Sequence, residues 1–406
     1  FFPLIFDKAN VPLWYTYATF VALLVSALLG YFVNYKMIVL SADQKEYKIT
    51  YCTQGVKIVK VLLQMVAIMT LPNGYVYWIA LEVLMAVVSS AVLNRTLKKE
   101  YTWLCPMTAK GKALQRQYPG IIRNTKLVFF HKIGGFVLYQ SCPLVIYAYA
   151  SLTLVAIYGN YTLIVTAVTS LMNALLNGLN AGVGNLVAEG NKKKIKSVFW
   201  QLTTLRMWLA SIVCFGIYML GHYFIALWVG KEYVMSQSAF VLLLMITFIQ
   251  LSRTNDTFLN AYGLFQDVWA PVTEAALNLG LSVLLGYHYG LTGILCGVLL
   301  SLLTIICIWK PYFLYWKGFK ESIWEYVSLY LKKIFLLLLA FFAALSFCSY
   351  VIDLPVDTYW QWCVYAVCTV LSYSFISLCI FYLFDISLRS IVKRFLQMAV
   401  VTIRHR

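Results

Sequence analysis

Charge is the first thing this chain lacks: only 12% of its 406 residues are charged, while 62% are hydrophobic. Soluble domains run nearer ~45–50% apolar and ~25% charged. A soluble fold of this length could not hide so much apolar surface, so the excess must face lipid. Acids are scarcer still, 15 Asp+Glu against 32 Lys+Arg, for a net charge of +17. Histidine is nearly absent, with four copies, and the ten cysteines form no CxxC pair. Most of the cysteines, such as Cys214, Cys296, Cys307 and Cys379, fall inside apolar runs and read as small core residues. No metal site, cofactor or disulfide framework is expected. Also missing are paired carboxylates, a nucleophile–base set and a phosphate-cradling glycine loop, so no catalytic residues are expected and the chain does not read as an enzyme.

What is abundant is apolar length. Runs of ~20 residues recur, each able to cross a hydrocarbon core. They must be helices, because lipid offers no partner to an open backbone group. Eleven spans are expected, near 13–33, 54–72, 74–93, 133–156, 162–187, 199–220, 237–262, 269–289, 290–309, 333–352 and 360–384. Turn signals separate several of them: Pro72-Asn73-Gly74, Gly159-Asn160 and Gly290. The fold class is therefore all-α, a polytopic membrane protein with helices in two bundles. The chain opens on Phe1, and Phe1–Phe6 resemble the tail of a membrane helix, so an N-terminally incomplete sequence is expected.

Placement of the basic residues orients the spans. Five lie in 34–60, nine in 94–132, four in 192–196, five in 310–333 and five in the tail, which is 28 of the 32. If eleven spans alternate, all these segments share one side, the cytoplasmic one, together with the C-terminus. The run Lys192-Lys193-Lys194-Ile195-Lys196 then reads as an orientation anchor, and no nucleic-acid partner is expected. Residues 1–93 read as a first helical lobe, 94–132 as a basic linker with a surface helix, and 133–309 as a six-helix lobe. Residues 310–332 read as a cytoplasmic loop, 333–384 as two extra spans, and 385–406 as a basic tail.

Polar residues inside spans are costly and face a bundle interior or a water-filled path. Arg253 and Asp256 lie three residues apart, on one face of an unbroken helix, with Asn255 and Asn260 nearby. Arg253 sits about 14 Å deep at ~1.5 Å per residue. A structural ion pair and a cavity cation are both open readings of it. Arg206 is within reach of the interface by snorkelling. Glu274 and Asn278, one turn apart, suit either helix–helix hydrogen bonding or a cavity wall. Lys57 and Lys60 read as snorkelling residues, and Glu82 as a helix–helix partner. The glycines at 290, 293 and 297 suit close helix packing.

From the fourth span on, a series of motifs occurs in order: HKIGGFVLYQSCPLVIYAY (131–149), AIYGNYTLI (156–164), GNLVAEGN (184–191), LWVGKEY (227–233), TFLNAYGLF (257–265), EAALNLGLS (274–282), GLTGILCG (290–297) and WKPYFLYWKGF (309–319). Together they resemble the O-antigen and capsule oligosaccharide flippases, the polysaccharide transporter branch of the multidrug/oligosaccharidyl-lipid/polysaccharide exporter superfamily. The resemblance implies two six-helix lobes around a central cavity, with three helices of the first lobe absent here. It implies a bacterial inner-membrane protein that moves a polyprenyl-pyrophosphate-linked oligosaccharide outward. Expected partners are that lipid-linked oligosaccharide, membrane lipids, a polysaccharide polymerase and chain-length proteins. Arg253 and Arg206 are the candidates for the anionic carrier, with Asp256 and Glu274 beside them and Asn260, Asn278 and Asn180 for sugar hydroxyls. Relatives often carry Thr-Asp-Asn where this chain has Ser141-Cys142-Pro143, so no coupling acid is expected at Cys142. A drug or cation exporter of the same superfamily is the alternative, and a membrane-bound polysaccharide polymerase a more distant one.

Overall fold

The computed structural model describes residues 13–43, 45–104, 111–122, 125–126, 129, 142–148, 152–351 and 356–404. Among these residues there is no strand. Nine helices among the described residues are long and apolar enough to cross a membrane. The chain is an all-α, multi-pass membrane protein. It divides into two compact units, Phe1–Leu114 and Gln115–Arg406.

The first unit is built on α1 (Leu13–Phe32), α2 (Glu46–Thr70) and α3 (Gly74–Glu100). Asn73, with φ 59°, makes the turn between α2 and α3. At one end Leu40, Cys52, Leu93, Leu97 and Tyr101 form a small core. Above it polar groups hold α2 to α3. Lys60 Nζ donates to both Glu82 oxygens at 2.8 and 2.9 Å, and Gln64 Nε2 donates to Glu82 Oε2 and to the Trp78 carbonyl, each at 3.2 Å. Lys60 therefore does not snorkel. It turns inward, because a buried carboxylate draws it more strongly than the interface does.

The second unit contains α4 (Leu152–Glu189), α5 (Lys192–Trp228), α6 (Gln237–Leu251), α7 (Asn255–Ala261), α8 (Trp269–Leu302), α9 (Ile323–Val351), α10 (Tyr359–Phe384) and α11 (Ile386–Arg404). Half of the expected fourth span, 133–156, lies outside the described residues. The turn expected at Gly159-Asn160 is not there: α4 runs straight through it. One glycine costs a helix only ~1 kcal/mol, less than the polar groups a break would expose to lipid.

The spans expected at 269–289 and 290–309 form one hairpin. Gly290, at φ 57° and ψ −135°, reverses the chain. Its arms then pack antiparallel: Ser282 Oγ donates to the Ile294 carbonyl at 3.0 Å, and Asn278 Nδ2 reaches Ser301 Oγ at 3.5 Å. A methyl group at Gly293 or Gly297 would run into the backbone at Leu285 or Ser282. The small residues set the spacing of the arms, as expected.

The cytoplasmic loop expected at 310–332 shrinks to residues 320–322. Beyond α8 the helix widens into π turns at Leu303–Trp309 and Leu314–Phe319 on either side of Lys310–Phe313. Pro311 explains the first widening, since its ring would strike the carbonyl four residues back in a regular helix. The Lys310 N–H bonds instead to the Ile305 carbonyl. Lys310, expected in that loop, therefore sits in a helix, and Lys333, counted in the same basic segment, lies inside α9. Lys333 is sealed: it pairs with Asp385, donates to Thr204 Oγ1 at 2.6 Å and lies 5.5 Å from the Trp200 ring.

Three basic segments meet at one end of this unit. Lys196 pairs with Glu321 and Glu325 beside the 320–322 turn, and Arg394 of α11 donates to Gln201 Oε1 at 3.1 Å. The turn from α4 to α5 lies at that end too, where Gly190 supplies φ 74° and Asn191 caps α5 by accepting from the Lys194 N–H.

Candidate functional site

The expected span 237–262 is not one helix. It stops at Leu251 and restarts at Asn255, with Arg253 in the break. Ser252 and Thr254 flank it and turn their hydroxyls onto the Ile249 and Ser252 carbonyls. Such side chains compete with the helical ladder. The Thr257 N–H bonds to the Thr254 carbonyl at 3.1 Å, so the Arg253 carbonyl loses the N–H that an unbroken helix would give it. Arg206 Nη1, from α5, supplies the substitute at 3.1 Å, and its Nη2 approaches Thr257 Oγ1 at 3.4 Å. Arg206 thus does not reach for the interface. A guanidinium can serve a freed carbonyl where lipid cannot.

Asp256 opens α7, and its two oxygens are divided between two cations. Oδ2 accepts from Arg253 Nε at 2.6 Å, and Oδ1 from Lys310 Nζ at 2.5 Å. The expected pair of Arg253 and Asp256 is present, but across a helix break and with a third member from the π-turn region. Glu274 is buried, lies within electrostatic reach of Arg253 and Lys310, and leaves Oε1 without a hydrogen-bond partner. Three cations surround Asp256, so the cluster stays positive even with Glu274 counted as charged.

The break is rigidly mounted. Phe258 of α7 is fully buried and packs edge-on against Phe199, with ring centroids 5.1 Å apart. Phe199 also meets Phe319 at 5.3 Å and Tyr315 at 6.3 Å. Edge-to-face pairs contribute roughly 0.5–1.5 kcal/mol each beyond their burial. Asn255 Nδ2 donates to the Tyr326 hydroxyl at 3.3 Å, tying α7 to α9.

An open cleft of about 430 Å³ faces this cluster, lined by Gly184, Arg206, Arg253, Asp256, Thr257, Asn260 and Ala261. Four of the seven residues expected from the sequence therefore converge here: Arg206, Arg253, Asp256 and Asn260. Asn278 is taken up inside the α8 hairpin instead, and Glu274 lies near the cluster without lining the cleft. The side chain of Asn180 lies outside the described residues. Known protein families, curated proteins and solved structures provide no match to this chain.

Sequence reasoning missed Lys310 and Thr257. The signal for Lys310 was its neighbour: a lysine directly before Pro311, at the end of an apolar run, sits where a helix must deform. Thr257 carried none, because its place in the cleft depends on the break. No group of three or more metal-ligating side chains occurs among the described residues.

Proposed function

We propose that the chain is an exporter that moves a polyprenyl-pyrophosphate-linked oligosaccharide from the cytoplasmic to the outer leaflet of a bacterial inner membrane. The observation that carries this reading is the positive cleft at the helix break. Transporters place substrate sites at discontinuous membrane helices, where irregular backbone lines a cavity. Arg253 offers a planar guanidinium suited to phosphate oxygens, and Arg206 adds positive charge beside it. Asn260 and Thr257 offer neutral partners beside them, suited to sugar hydroxyls. Cations outnumber carboxylates in the cluster, which favours an anionic cargo over a cationic drug. The ordered motifs that resemble oligosaccharide flippases point the same way.

The orientation follows from the basic end of the second unit, which belongs in the cytoplasm together with α11. A cysteine at position 193, in a background without native cysteines, should react with a membrane-impermeant reagent only after the cells are opened. Reaction from outside would overturn the orientation.

The transport reading is tested by Arg253→Ala in the gene as its host carries it. Surface polysaccharide is measured per molecule of membrane-inserted protein. Losing charge-assisted hydrogen bonds of ~1.5–3 kcal/mol should lower transport at least about tenfold. Arg253→Lys should keep part of it. Normal output per molecule in Arg253→Ala would sink the proposal for this site.

A further inference from the structure

The first unit contains a second polar cavity, of about 180 Å³, within its own three helices. Four hydroxyl residues and one amide are among its lining: Ser26 on α1 and Asn34 just after it, Thr53 on α2, and Ser89 and Ser90 on α3. Lys57, Lys60 and Glu82 supply the charge. Glu82 is already neutralised, since Lys60 donates to both its oxygens and Gln64 to one of them. Lys57, one turn from Lys60, has no carboxylate within ion-pair distance among the described residues. The cavity therefore has one positive charge more than it has negative.

Ser90 adds an independent sign. It is 5% exposed, and its Oγ finds no hydrogen-bond partner. Serines inside helices commonly turn back onto the carbonyl one turn earlier, as Thr53, Thr70 and Thr96 do with their hydroxyls in this unit. Ser90 does not. A buried hydroxyl without a partner is costly and calls for one.

We infer that this cavity is a binding site for a small oxyanion of the phosphate type, held by Lys57 and Lys60 and by the Ser90 hydroxyl. A cation does not fit, because the one carboxylate present is taken. The volume suits one tetrahedral group with a few waters, at ~30 Å³ per water. The phosphate can come from a lipid headgroup or from free solution. The inference does not rest on the cleft of the second unit, and Arg253 takes no part in it.

The test uses the purified chain in nanodiscs of zwitterionic lipid, titrated with radiolabelled inorganic phosphate and pyrophosphate. A second arm repeats the titration in nanodiscs that also hold an anionic phospholipid. Every titration is made in an Arg253→Ala background, so that the cleft of the second unit does not contribute. Saturable binding is expected there, weakened about tenfold or more by adding Lys57→Gln. Ser90→Ala should raise the unfolding midpoint without anion, by removing an unsatisfied hydroxyl, and weaken anion binding severalfold. Ala86→Leu should block the cavity and abolish binding. Competition by the anionic lipid would identify a headgroup as the occupant, and indifference to it would identify the free anion. No saturable binding in either arm would mean that water alone fills the cavity, and would overturn the inference. So would equal affinity with and without Lys57→Gln and Ser90→Ala in that background.

Discussion

Within the second unit, two clusters use the same chemistry to opposite ends. Lys333 and Asp385 are sealed, at 3% and 5% exposure, and the Lys333 contacts tie α9 to α5 and to the start of α11. Asp385 also accepts from the Leu388 N–H at 3.0 Å, which caps the first turn of α11. Arg253, Asp256 and Lys310 repeat the lysine–aspartate contact beside an open cleft, with side chains 22%, 27% and 13% exposed. A sealed pair holds structure and meets no ligand. An open one, with surplus cations around a single carboxylate, can exchange partners. Burial and charge count, not residue type, separate the two.

The contrast breaks first at Lys333. Lys333→Met should strand the Asp385 carboxylate and lower stability by about 3–5 kcal/mol. The readout is the yield and unfolding midpoint of monodisperse protein in detergent. Joining it with Asp385→Leu should restore much of the loss, because an apolar pair of similar volume needs no desolvation. If the single change is neutral, the sealed pair is not structural. Next comes Gly297→Leu, which forces atoms into the Ser282 backbone and opens the α8 hairpin. The expected cost is about 1–3 kcal/mol or more. Its mark would be weakened packing of both arms, read by proteolysis near Gly290.

A smaller effect is expected at Thr358. Its hydroxyl accepts from the Gln361 N–H at 3.3 Å, while Gln361 Oε1 accepts from the Thr358 N–H at 3.1 Å. Thr358→Ala should remove about 1 kcal/mol, read as a small drop in unfolding midpoint. The smallest effect on abundance belongs to Arg253→Ala, because Asp256 keeps Lys310 as a partner. That variant should accumulate near the unaltered level while losing transport. A fall in abundance as large as that of Lys333→Met would erase the distinction between the clusters.

Legibility followed the range of the interaction. The reversal at Gly290 and the close approach at Gly293 and Gly297 were readable, since each depends on residues near one another in the chain; the boundaries at Gly159-Asn160, within 237–262 and at 310–332 were not. Arg253, Asp256 and Arg206 were readable as out of place, because a charge inside an apolar run is conspicuous wherever it points. What each of them does was not readable. Arg206 serves a carbonyl 47 residues away, freed by a break that no proline or glycine announces. Lys310 and Lys333 looked like residues at the edge of the membrane, because each lies at the end of an apolar run, yet π turns in one case and a distant aspartate in the other drew them into the protein.

Composition and apolar periodicity alone settled that this chain is a helical, multi-pass membrane protein, because lipid leaves a backbone no other way to satisfy its polar groups. Only tertiary structure decided which charges are sealed and which remain open to a ligand. That outcome depends on the count of partners gathered from distant helices around each buried ion, and a linear sequence does not carry that count.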